Sequence, residues 1–103
     1  MIVVSDTTAL STLYLIDRLD LLKQMFGQVI IPQAVFDELL ELELSGYDIN
    51  IFKKADWLIV KDANHHHLIS ELQKELDLGE SEAIVLALEK MADYLLIDER
   101  KAP

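Results

Sequence analysis

Four short apolar runs constrain this chain more than anything else in it: residues 2–5 (IVVS), 29–31 (VII), 58–60 (LIV) and 94–97 (YLLI). Each is rich in β-branched or aromatic residues, too short for a helix, and lacks the polar alternation of a half-exposed strand. They read as strands buried on both faces. The stretches between them space apolar residues three and four apart, the period of helices with one face on a core. Strand and helix therefore alternate in the order β-α-β-α-β-α-β, which predicts an α/β fold: a parallel β-sheet flanked by helices.

Local signals punctuate this order. Residues 8–26 predict one or two helices, with a polar break near Asp17 and Gly27 placed to end the last turn. Pro32 suits the first position of the next helix, where its missing N–H has no partner to lose, and that helix is expected to run to about Leu44. Residues 67–76 and 79–91 predict two more. No repeat, low-complexity tract or Pro/Gly linker interrupts the chain, so residues 1–103 are expected to form a single domain.

Composition narrows the function. With no cysteine there are no disulfides and no thiolate metal sites. No apolar run approaches the ~20 residues that span a membrane, and no basic N-terminal region precedes a long apolar one; the expectation is a cytoplasmic protein without membrane contact. Nine basic residues stand against nineteen acidic ones, a net charge of −10. That sign opposes nucleic-acid binding by general electrostatics, so an anionic substrate would have to be met locally, through a metal ion.

Carboxylates in particular places supply such a site. In a parallel sheet, ligands bind beyond the carboxyl ends of the strands. Asp6 follows the first strand and Asp98 the last, so neighbouring strands would bring both to one crevice. Each also has a plain structural use, Asp6 as a helix cap and Asp98 as a turn residue. In the helix after Pro32, Val35, Leu39 and Leu42 mark the core stripe, with Glu38 about 60° to one side and Asp37 pointing away. In the helix from Gly79, Ile84, Ala87 and Met91 are read as the buried stripe. Glu80 then lies on that stripe, while Glu82 turns with Glu89 to the polar side. Carboxylates gathered in one crevice repel unless protons or cations reside there, and oxygen-only donors suit a hard ion, Mg²⁺ or Mn²⁺. Such an ion supports phosphodiester hydrolysis.

At these residues the sequence resembles the PIN-domain ribonucleases, which include toxins of the VapBC type. VVSDTTAL, residues 3–10, is similar to the family's opening strand with its first metal-binding aspartate and adjacent hydroxyl residue; VIIPQAVFDEL, residues 29–39, is similar to its second block, with Glu38 as the family glutamate. LDLGESEAIVLALEKMADYLLIDERKA, residues 76–102, resembles the later blocks in a branch with a GE-x-E-A motif. The resemblance implies metal-binding and catalytic roles for Asp6, Glu38, Glu80 and Asp98, with Glu82 a secondary candidate at the third position. Thr7 or Thr8 is implied to hold a water or a phosphate oxygen, and Glu99 to stand near the metal. The resemblance further implies a Mg²⁺- or Mn²⁺-dependent endoribonuclease acting on RNA, the toxin of a toxin–antitoxin pair with an antitoxin protein as partner. Family members usually continue through further helices and a last strand, so a chain ending at Pro103 is expected to lack the usual C-terminal elements. A catalytically silent PIN-like interaction module is therefore the alternative.

Other features carry less. Consecutive helical residues point about 100° apart, so His65, His66 and His67 cannot converge on one ion; they read as a helix start that Asn64 could cap. Lys53 and Lys54 read as a solvated face, and Trp57 as a core or contact residue. Leu40, Leu44 and Leu86 fall opposite the expected core stripes, which predicts contact with another chain and a homodimer or higher oligomer.

Overall fold

The computed structural model describes residues 1–97, and within them the expected α/β architecture is present. Strands β1 (Val3–Ser5), β2 (Val29–Ile31), β3 (Leu58–Val60) and β4 (Tyr94–Leu96) form one parallel sheet in the order β3-β2-β1-β4. Between them run helices α1 (Thr7–Leu15), α2 (Asp20–Phe26), α3 (Gln33–Leu40), α4 (Asn50–Lys54), α5 (His66–Leu72) and α6 (Leu78–Glu89), with a 3-10 turn at Glu41–Ser45.

The strands have no polar face because both faces are covered. Adjacent residues of a strand point to opposite sides, and Val3 and Val4 enter different cores. Val3, Val29 and Ile31 join Leu10, Leu22, Val35, Leu39 and Phe52 on one side. Val4 joins Ala63, Ile69, Ala83, Val85 and Leu86 on the other, with Ile30 packed against them. Each fully buried aliphatic side chain contributes about 1.5–3 kcal/mol, so the two-sided burial of the central strands holds their carboxyl ends in place.

Helix boundaries follow local chemistry. The polar break in residues 8–26 is a helix end: Asp17 is left-handed (φ 59°), and the next N–H, of Arg18, reaches back to the Leu13 carbonyl at 2.8 Å. Gly27 closes α2 with φ 78°, as expected of a glycine there. Pro32 stands one place earlier than expected, as the extended residue before α3 (φ −75°, ψ 163°). The helix also stops sooner, at Leu40, and the 3-10 turn carries the chain onward. The five-residue α4 was not expected, being too short to show a helical period.

The phase of α6 corrects the sequence reading. Its buried residues are Gly79, Ser81, Ala83, Val85 and Leu86, whereas Ile84 and Ala87 are only half-buried and Met91 is 85% exposed. The helix packs on α3, α5, β1 and β4 together, so burial is not confined to one stripe, and periodicity cannot choose the inward face. Met91 has φ 51° in a Schellman-type ending, with the Ala92 N–H on the Ala87 carbonyl, and this turns its side chain out. Leu86 is accordingly core, and Leu40 packs partly against the other core. Of the three outward leucines, Leu44 alone is fully exposed, at 88%. Trp57 packs against the core, and the α5 cap is the His65 ring rather than Asn64. Among the described residues no helix is long and apolar enough to cross a membrane.

Candidate functional site

The strand order defines where a site can form. From β1 the chain crosses to β2 and β3 on one side and returns to β4 on the other, so the connections part at the carboxyl ends of β1 and β4. That topological switch point is where open parallel sheets bind ligands. Asp6 stands there: its backbone N–H donates to the Leu96 carbonyl at 3.0 Å, extending the β1–β4 pairing by one bond.

Asp6 is 1% exposed and caps α1, its Oδ1 accepting the Ala9 N–H at 2.9 Å. Capping and metal binding do not compete for the residue outright, since an ionised carboxylate can accept about four hydrogen bonds. The next residue, Thr7, donates its hydroxyl to Oε2 of Glu38 on α3. Glu38 is half-buried and also accepts the backbone N–H of Gly79 in the first turn of α6. Three elements thus meet at one carboxylate: the start of α1, the middle of α3 and the start of α6.

The electrostatics of Glu38 mark it out. Burial, the largest effect, pushes its carboxyl above the ordinary value of 4.5; the Thr7 hydroxyl and Gly79 N–H pull it down, and the negative Asp77 and Glu41 push it up again. A desolvated carboxyl among like charges is the environment in which a bound cation would be most strongly attracted.

Of the α6 glutamates, Glu82 takes a different place from that expected. Glu80 is the third residue of the helix, half-buried, and its N–H is held by the Asp77 cap at 2.9 Å. Glu82 does not face solvent: its Oε1 meets the Ala34 N–H at the start of α3, at 3.4 Å. Glu89, on the same line of the helix, accepts the Asn64 and His65 N–H groups at 2.9–3.0 Å. The supposed polar side of α6 is a pair of carboxylates serving the N-terminal ends of other helices, Glu82 the first turn of α3 and Glu89 the segment that leads into α5, where backbone N–H groups lack helical partners. Taking 100° per residue from Gly79, which faces Glu38, Glu82 lies about 60° away and Glu80 about 100°.

Thr8 lies instead along an apolar groove beside β4, with Ala9, Met25, Phe26 and Ile97. Asp98 and Glu99 lie outside the described residues. Among the described residues no three His, Asp or Glu groups come together closely enough to hold a metal ion. The donors present, Asp6, Glu38 and the Thr7 hydroxyl, are all oxygen, which fits a hard divalent cation and not a soft one. Asp77 and Gly79 were not singled out from sequence. Asp-Leu-Gly-Glu at 77–80 does match a capping box, a signal that could have marked Asp77.

A sequence model described as a PIN domain matches residues 2–103. The chain belongs to the PIN-domain family. No curated protein and no solved structure matches it significantly. Its nuclease-type fold accords with the four-stranded parallel sheet, and in this PIN domain Asp6 stands at the switch point with Glu38 joined to it through the neighbouring Thr7.

Proposed function

We propose that this PIN domain is a Mg²⁺- or Mn²⁺-dependent ribonuclease that cleaves RNA by phosphodiester hydrolysis. The observation that carries this reading is the Glu38 carboxyl, desolvated beside Asp77, held by Thr7 and Gly79, one residue's step from Asp6 at the switch point. PIN domains are generally nucleases that use a divalent metal and bind nucleic acid, and an acidic chain needs such an ion to approach a phosphodiester.

The ligands in this reading are Asp6, Glu38, Asp98 and a glutamate of α6. Glu80 holds that place by sequence matching, while Glu82, about 60° around α6 from the Glu38-facing Gly79 against about 100° for Glu80, has the stronger geometric claim. A bound divalent ion supplies Lewis acidity toward a phosphate oxygen and the attacking water. Thr7 fixes the rotamer of Glu38, and the buried strand end fixes Asp6. We further propose a toxin role with an antitoxin partner and a homodimeric or larger assembly. The exposed apolar groove beside β4 favours, as a second reading, a catalytically silent interaction module.

Titration calorimetry with Mn²⁺, paired with cleavage of single-stranded RNA in the presence and absence of EDTA, tests the proposal. Metal binding with EDTA-sensitive cleavage is the expected result. Binding without cleavage would favour the interaction module, and no binding would remove the metal site altogether.

A further inference from the structure

Gly79 differs from the other two glycines of the chain. Gly27 and Gly46 occupy left-handed turns with open space around them, and their backbone explains them. Gly79 sits inside α6, where glycine is a poor helix former and alanine the best. It is buried, and the three atoms nearest to a side chain placed there belong to a single group. A Cβ at this position would stand 2.7 Å from Oε1, 2.9 Å from Oε2 and 3.0 Å from Cδ of Glu38. Both carboxylate oxygens lie closer than side-chain Cβ contacts allow, so the end of the Glu38 side chain would have to shift.

We propose that Gly79 is a positioning residue: its bare Cα and backbone N–H form the seat on which the Glu38 carboxylate rests, and a methyl group there evicts that carboxylate from its contact with Thr7. Glu38 is the flexible partner in this contact and the α6 backbone the rigid one. A methyl group therefore moves the carboxylate and not the helix, and the protein stays folded. Glycine is kept at a helical position against its propensity because the space above it is taken by a side chain from another helix. The functional consequence of the seat, a correctly held metal ligand, rests on the reading of Glu38 given above; the seat itself does not.

The test is a double-mutant cycle on the metal-free protein, with Mn²⁺ titration as a second arm. In the Glu38→Ala background nothing occupies the seat, so Gly79→Ala gains helix propensity freely and raises Tm by several degrees. In the wild-type background that gain is offset by the lost Thr7 and Gly79 contacts, so Gly79→Ala leaves Tm unchanged or lower. An equal Tm change in both backgrounds overturns the seat. In the second arm, Gly79→Ala with wild-type circular dichroism binds Mn²⁺ at least tenfold more weakly than wild type; unchanged affinity overturns the positioning role. A wild-type protein that binds no Mn²⁺ refutes the metal reading, and the cycle still decides whether the seat exists.

Discussion

Replacing Asp6 by alanine and by asparagine separates the two uses of this residue. The cap bond from the Ala9 N–H to Oδ1 is 2.9 Å long and the residue is 1% exposed, so alanine strands a donor with no water to replace the acceptor. Loss of such a cap costs about 1 kcal/mol, which lowers Tm by roughly 4–8 °C in a domain of this size. Asparagine keeps an oxygen for Ala9 while removing a negative charge that is almost wholly buried, so the metal-free Asp6→Asn protein should melt at or above the wild-type temperature. Added metal separates the variants further. An ion bound only by the folded state stabilises it by about 2.7 kcal/mol at a hundred times its Kd, or roughly 10–20 °C. Wild type should show that rise with Mn²⁺ and Asp6→Asn should not, and RNA cleavage should vanish in the variant. Thermal unfolding with and without Mn²⁺, run beside a cleavage assay with an EDTA control, reads all of this. If Asp6→Asn rises with Mn²⁺ as far as wild type, Asp6 is a cap and the reasoning fails.

Glu38 should make stability depend on pH. Its folded carboxyl titrates above the ordinary 4.5, so the folded state holds the proton more tightly than the unfolded chain, and stability present below that value is lost as pH rises through the folded pKa. Urea unfolding between pH 4 and 7 should show Glu38→Gln gaining on wild type as pH rises, and a pH-independent difference would refute the sign. On α6, Glu82→Gln should weaken Mn²⁺ binding in calorimetry more than Glu80→Gln does, because Glu82 lies nearer the Glu38-facing line; the opposite ranking would restore Glu80 to the third place. Leu86→Ala should cost about 2–5 kcal/mol in urea unfolding because the side chain is fully buried, while Leu44→Ala should stay within about 0.5 kcal/mol. Similar values for the two would contradict the core assignment.

The strands were legible because burial on both faces leaves an unbroken apolar run that ends where the strand ends: β2 and β3 lie where VII and LIV stand, and β1 and β4 are each one residue shorter than their runs. Asp6 was legible too, as the first polar residue after such a run. The face of α6 was not. A helix covered by two helices and two strands buries Val85 and Leu86 alike, and a single-stripe reading must then misplace Leu86, Met91 and Glu82 together. The meeting of Thr7, Glu38 and Gly79 was equally hidden. It joins residues 31 positions apart and then a third helix, and no local spacing encodes which side chain of α3 will lie over which backbone of α6.

The pairing of β1 with β4 also sets an order of events in time. These neighbours are among the most distant parts of the described chain, tied by the Ile2 N–H to the Asp93 carboxylate across 91 residues. Closing so long a loop is entropically slow and is repaid only when both strands are present. On a ribosome the β1 segment emerges before the other three strands and, with one flank open, waits for β4, while β2 and β3 are already available to pair. The crevice at Asp6 therefore cannot take shape until β4 arrives, so synthesis of the chain is itself a delay before the switch point exists.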